Sequence, residues 1–256
     1  VSSNKPNSIQ IQSVQSLFLR MYFNDTLLAT GTGFTIETLS GYVLITNRHN
    51  FTGRNPYTGE VLSSHGGIPN SVEIFHNVKD KLGSWMPIKQ KLYNDPEIMQ
   101  EPLWHEHPKL GEKADVVALS LQLNDSVICY PYSLDEKNKI AISPADIVSV
   151  IGFPFGKTAG GCLAIWATGF MASEPNLQYE GMPKFLIDCR SRQGQSGSPV
   201  VAHRSGGAVA LEGGSTAFFN NPITNLLGVY SGRINSESDL GVVWKTNVVA
   251  EILASI

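Results

Sequence analysis

Charge, cysteine and histidine are all scarce in this chain, and each shortage excludes something. Asp, Glu, Lys and Arg together make up only 16% of the residues while hydrophobic ones reach 42%, the opposite of the balance that keeps a chain disordered. Neither sign of charge dominates: the formal net charge is −3 and the pI about 6.1, so the basic footprint of a nucleic-acid binder is missing. No apolar run approaches the ~20 residues that a membrane-crossing helix needs, and no membrane partner is expected. No signal peptide is visible, although the chain starts at Val1. Three cysteines, Cys129, Cys162 and Cys189, are too few and odd in number for a disulfide framework. They are expected to be buried small hydrophobes in a reducing, cytoplasmic compartment. Of three sequons, at Asn24, Asn50 and Asn124, the second abuts His49, which fits glycosylated secretion poorly. Helical periodicity is missing as well, except over Thr246–Ala254.

What the chain does have is many short β-rich runs separated by Gly, Pro and Asn clusters. Six are expected in the first half (13–23, 27–37, 42–46, 71–77, 85–89, 116–121) and six in the second (147–152, 163–171, 185–189, 199–202, 226–231, 241–245). Such a pattern belongs to an all-β barrel or sandwich, and 256 residues suffice for one large core or two small ones. The segment 50–69, rich in Gly, Ser and Asn, is expected to be a surface loop.

Between two strand-like runs, Phe185-Leu-Ile-Asp-Cys189 and Val200-Val201, stands Gly194-Gln195-Ser196-Gly197-Ser198-Pro199. A glycine tolerates positive φ, so neighbouring N–H groups can turn toward one point and hold a developing oxyanion. A plain hairpin loop has a similar composition. A serine hydroxyl is a weak nucleophile until a base takes its proton, and the base needs an orienting partner. Six histidines are available. His49 ends the apolar run Tyr42-Val-Leu-Ile-Thr-Asn-Arg-His49 at the start of a polar stretch, whereas His65, His76 and His203 lack such a setting. Asp115, in Lys113-Ala-Asp-Val-Val-Ala-Leu119, opens an otherwise apolar strand, where an unpartnered carboxylate would be costly. The order His49, Asp115, Ser196 is that of chymotrypsin-type enzymes and differs from subtilisin and α/β-hydrolases.

Three competing motifs fit less well. Gly152-Phe-Pro-Phe-Gly156-Lys157-Thr158 has one residue too few for a phosphate-binding P-loop. Ser198 stands where the nucleophile-elbow motif requires glycine. His105 and His107 form a possible metal-chelating pair, but no further ligand lies at suitable spacing. A solvated loop is the expectation for that pair, with no metal and no cofactor.

Four segments together resemble chymotrypsin-fold serine proteases, most closely their bacterial HtrA-type branch. They are Thr30-Gly31-Thr32-Gly33-Phe34 with Val43-Leu-Ile-Thr-Asn-Arg-His49, Ala114-Asp115-Val116-Val117-Ala118-Leu119, Ile151-Gly152-Phe153-Pro154-Phe155-Gly156, and Asp188 eight residues before Ser196. The resemblance runs from about Leu17 to Leu253. It implies two six-stranded antiparallel β-barrels and a short C-terminal helix, with residues 1–131 carrying His49 and Asp115 and residues 132–256 carrying Ser196. The boundary is expected in the polar stretch 132–138. It further implies a serine endopeptidase acting on peptide or protein substrates, with His49 as base, Asp115 as its orienting partner, and the N–H groups of Gly194 and Ser196 as oxyanion hole. A bacterial source is the matching expectation; the oligomeric state is left open.

Two departures stand out. Gln195 occupies the position where pancreatic-type members carry an aspartate for a newly cut N-terminus, so activation through Val1 is not expected. The peptide-binding module usual in HtrA-type proteins is also not seen. The resemblance places Tyr230, Ser231 and Arg233 on a substrate-pairing strand over Leu226–Arg233, and Arg190 and Arg192 in the loop lining the specificity pocket. Those arginines would select an acidic residue if they face the pocket. If instead they face solvent, or pair with Asp188 and Glu237, a small or aliphatic residue is expected. A catalytically silent homologue that binds peptides in the same cleft is the alternative function.

Overall fold

A computed structural model describes residues 9–63, 66–135, 137–235 and 237–256; Val1 and His65 lie outside them. The chain begins with a helical turn, α1 (Gln12–Gln15), and then enters strand after strand: β1 (Ser16–Phe23), β2 (Thr26–Thr38) and β3 (Gly41–Thr46). A one-turn helix, α2 (Arg48–Thr52), precedes β4 (Ser71–Val78), β5 (Trp85–Lys91), β6 (Tyr93–Asp95), β7 (Gln100–Pro102), β8 (Trp104–Glu106), β9 (Val117–Ser120) and β10 (Val127–Ile128). The second half contributes β11 (Ile147–Gly152), a 3₁₀ turn at Pro154–Gly156, β12 (Ile165–Met171), β13 (Lys184–Asp188) and β14 (Pro199–Arg204). It closes with β15 (Gly207–Ala210), β16 (Thr216–Phe219), β17 (Ile223–Arg233), β18 (Leu240–Lys245) and a terminal helix, α3 (Thr246–Leu253).

These strands form two antiparallel lobes. The second is a closed six-stranded barrel, β11-β12-β13-β18-β17-β14. The first is an eight-stranded sheet in the order β10-β4-β1-β2-β3-β9-β8, with β5 also paired to β4 and, among the described residues, no pairing that joins its two ends. The all-β two-lobe architecture expected from the sequence is present, with two more strands in the main sheet of the first lobe than the pattern suggested and a separate β6-β7 pair beside it. Those extra members, β8 and β10, have three and two residues, too few to show an alternation. Segment 13–23 also starts as the turn α1 and becomes extended only at Ser16.

Alternation explains how the lobes hold together. On β1, Leu17, Leu19 and Met21 enter the first lobe's own core, together with Leu44, Ile74 and Trp104. Phe18 faces the other way, into a second core shared between the lobes with Phe34, Ile45, Val116, Phe153, Val229 and Trp244. Strands buried on both faces read as nearly continuous apolar runs. α3 seals the shared core through Val248, Val249 and Ile252, each fully buried and worth roughly 1.5–3 kcal/mol of removed apolar surface. The second barrel has its own filling, including Val148, Met171, Ile187 and Tyr230.

All three cysteines are free, and only Cys189 is buried; Cys129 and Cys162 are half-buried. Desolvation pushes the Cys129 and Cys189 thiols up to about 11. Among the described residues no helix is long and apolar enough to cross a membrane.

Candidate active site

The site lies where the two lobes meet. β3 ends at Thr46, and the chain turns into α2 instead of the loop expected there, burying Asn50, Phe51 and Thr52. Gly53 stops the helix after one turn: it adopts φ 61° and its N–H returns to the His49 carbonyl at 2.9 Å. His49 is thereby held on a rigid turn with its ring partly open to solvent.

Asp115 sits just ahead of β9 with its side chain 3% exposed. Oδ1 accepts the His49 backbone N–H at 2.8 Å, and Oδ2 lies 2.6 Å from His49 Nδ1. The Ser231 hydroxyl donates to the same Oδ2 at 2.5 Å. Asn47 Nδ2 donates to the Asp115 carbonyl at 2.7 Å, tying the start of α2 to the start of β9. A carboxylate only accepts, so Nδ1 carries the hydrogen in this pair, and in the neutral ring that makes Nε2 the acceptor.

Ser196 arrives from the second lobe, and its carbonyl is gripped by the first. Thr32 N–H donates to it at 2.9 Å and Asn50 Nδ2 at 3.1 Å. Because Asn50 belongs to α2, the helix bearing His49 is bonded directly to the Ser196 main chain. The Ser196 hydroxyl donates to the Ser231 carbonyl at 3.5 Å; it makes no hydrogen bond to the His49 ring.

The preceding residues present two free donors. The Phe155 N–H donates to the Gln193 carbonyl at 2.6 Å, and Thr32 Oγ1 donates to the Gly194 carbonyl at 2.8 Å. With Gln193 C=O drawn toward the Pro154–Gly156 turn, a trans peptide aims the Gly194 N–H the opposite way. The N–H groups of Gly194 and Ser196 meet no acceptor among the described residues. Gly194 has φ 93°, and a Cβ there would sit 2.5 Å from the Phe153 carbonyl oxygen, so glycine is required on both counts. The Gly152–Gly156 segment thus supports the Ser196 loop and has no helix to cradle a phosphate.

The residues expected to bind substrate are placed less uniformly. Ser231 joins the cluster through both its hydroxyl and its carbonyl. Tyr230 is 2% exposed; its hydroxyl meets that of Ser191, and burial pushes it up to about 12. It therefore supports the cleft from inside the barrel. Arg190, with its side chain 86% exposed, and Arg192 both lie against Asp239, at 3.9 and 3.6 Å. Arg233 is exposed and lines a cavity of about 360 Å³ beside His49, with Tyr57, Leu62 and Ile234.

His105 and His107 occupy β8 and its edge, not a solvated loop. His107 is buried: its Nδ1 accepts the N–H groups of Lys109 and Leu110, and its Nε2 faces Glu251 at 3.4 Å. Among the described residues no group of three or more His, Cys, Asp or Glu is positioned to hold a metal.

No protein-family model matches the chain, and no curated protein does. Solved structures do. The active form of the Rv3671c protease from M. tuberculosis is 19% identical over 96% of this chain and 82% of its own, with a TM-score of 0.50. The HtrA-type protease AlgW, solved with a tripeptide, is 16% identical over 95% of this chain, also with a TM-score of 0.50; this chain spans 60% of it. At such identities the likeness is one of fold. The chain carries the two-lobed chymotrypsin-like fold of trypsin-like and HtrA-type serine proteases.

Proposed function

We propose that this chain is a serine endopeptidase. The observation that carries the proposal is the double hold of a buried carboxylate on one residue: Asp115 takes both the backbone N–H and Nδ1 of His49, which leaves Nε2 as the nitrogen available to a substrate-side proton. Ser196 enters that cleft beside the two free N–H groups of its own loop. In the proposed mechanism a rotation of the Ser196 side chain takes Oγ from the Ser231 carbonyl to Nε2. His49 then takes the hydroxyl proton as Oγ attacks the peptide carbonyl. The Gly194 and Ser196 amides stabilise the oxyanion, the imidazolium returns the proton to the leaving amine, and water releases the acyl-enzyme by the same steps in reverse roles. No metal or cofactor is needed, and residues 1–131 and 132–256 act as one unit.

Recognition of an extended peptide is supported by the end of β17. Its ladder with β14 ends at Val229 opposite Pro199, and Tyr230 is still bonded to the Ser198 carbonyl and the Gly197 N–H. Only beyond it do Ser231 and Gly232 run on without a main-chain partner on that side among the described residues, where a strand could be added. The silent-homologue reading draws on one observation, the Ser196 hydroxyl bonded to Ser231 and not to His49. Hydrolysis of a quenched peptide library separates the two. Activity lost roughly 10⁴-fold in Ser196→Ala or His49→Ala supports the peptidase; a folded wild-type chain with no turnover supports the silent binder.

A further inference from the structure

Lys184, at the start of β13, is a lysine with its side chain only 5% exposed, and nothing in the proposed chemistry uses it. Its ammonium is boxed by three rings: Tyr179 at 5.4 Å, Trp244 at 5.5 Å and Tyr57 at 5.9 Å from the ring centroids. Glu180 Oε2 closes the fourth side at 3.1 Å. Trp244 is its direct neighbour across the β13–β18 ladder, and Tyr179 and Glu180 come from the turn just before β13. Tyr57 does not belong to this lobe. It stands in the first-lobe loop that follows α2, so Lys184 reaches across the junction to a residue eight positions after His49.

That loop is internally braced. The Asn55 side chain accepts the N–H groups of Tyr57 and Thr58 at 2.8 and 3.2 Å, the Asn55 carbonyl accepts the Gly59 N–H at 2.8 Å, and Arg54 donates to the Gly59 carbonyl at 3.0 Å. The loop, its shape fixed internally, meets the Lys184 box through the ring of Tyr57. Pro56, Tyr57 and Leu62 from this loop, with Ile234 from beyond β17, give the roughly 360 Å³ cavity beside His49 an apolar wall.

We propose that Lys184 is a positioning residue that fixes Tyr57 as the outer wall of this cavity, and that the cavity selects an apolar side chain of the substrate. The inference rests on the peptidase reading. A cation held on a ring face loses its attraction when the charge is removed and keeps it when arginine replaces lysine. The test uses a peptide library varied at the positions before the scissile bond, together with a small fluorophosphonate that reacts with an activated serine. Lys184→Met and Tyr57→Ala are each expected to raise KM roughly ten-fold for the preferred apolar peptide and to flatten its preference over an aspartate-containing one, with the change falling on KM and not kcat. Lys184→Arg and Tyr57→Phe are expected to restore both. If the fluorophosphonate labels the wild type but KM and selectivity stay unchanged in both loss variants, the inference is overturned. Should thermal melts show Lys184→Met unfolded, Tyr57→Ala on the exposed loop decides it by the same readout. A wild-type chain that resists labelling contradicts the peptidase reading instead. The same variants are then scored by peptide Kd, where an unchanged Kd overturns the wall and a roughly ten-fold loss supports it.

Discussion

Asp115 holds His49 at two points, its backbone N–H at 2.8 Å and its Nδ1 at 2.6 Å. The main-chain bond fixes where the residue sits, and the ring bond fixes which nitrogen carries the hydrogen. Replacing Asp115 by Asn keeps the shape but puts an N–H where an acceptor is required. In the proposed mechanism Asp115→Asn is expected to lower kcat by roughly 10⁴-fold. Ser231→Ala, which removes only the third donor to that carboxylate, is expected to cost roughly ten-fold. Equal losses in the two variants, measured as kcat on one peptide, would contradict this ranking.

Gly194 is expected to tolerate no side chain. Gly194→Ala forces a Cβ toward the Phe153 carbonyl oxygen at a φ of 93°, and the relief is a turn of the peptide that carries the candidate oxyanion donor. Turnover is expected to fall by roughly 10²–10³-fold with KM little changed. Thr32→Val, which strips the hydroxyl from the Gly194 carbonyl, is expected to act in the same direction and to destabilise the fold by about 1–3 kcal/mol. A Gly194→Ala enzyme with wild-type kcat would contradict the assignment of that amide.

A buried histidine outside the site predicts how stability depends on pH. His76 on β4 is 1% exposed, its Nδ1 has no hydrogen-bond partner among the described residues, and desolvation lowers it to about 4 from 6.5. The unfolded chain therefore binds a proton that the folded chain refuses between about pH 6.5 and 4. Stability is full above that window and falls as pH drops through it, by about 3 kcal/mol in total. Urea melts from pH 7 to 4 are expected to show this slope in the wild type and to lose most of it in His76→Gln. Parallel slopes in the two proteins would contradict it.

Arg190 and Arg192 share Asp239 on the surface, and an exposed pair of this kind contributes little. A small or aliphatic residue, not an acidic one, is therefore expected before the scissile bond, with Arg190→Ala changing kcat/KM less than about two-fold. Cleavage mainly after Asp or Glu, abolished in Arg190→Ala, would restore the acidic preference.

The parts legible in the sequence were those with a local signature. The long strands are legible as β-rich runs bounded by Gly, Pro and Asn clusters, and His49, Asp115 and Ser196 as polar groups beside apolar runs. What the sequence did not disclose depends on distant neighbours. Thr32 and Asn50 look ordinary until folding brings both to the Ser196 carbonyl. The resemblance puts Ser231 on the substrate-pairing strand near the triad, but no local pattern tells that its hydroxyl turns inward to Asp115. α2 was hidden because a single turn capped by Gly53 has no periodicity to detect. The open edge of the first sheet is equally silent, since strands of two or three residues leave no pattern.

The most direct measurement of the central claim is intact-mass and peptide-mapping analysis after treatment with a fluorophosphonate. An activated serine displaces fluoride from phosphorus and keeps the phosphonyl group, whereas an ordinary hydroxyl does not react at a comparable rate. One adduct per chain is expected, mapped to Ser196, absent in Ser196→Ala and strongly slowed in His49→Ala. A folded wild-type chain that takes up no label, or takes it up equally in Ser196→Ala, would contradict it.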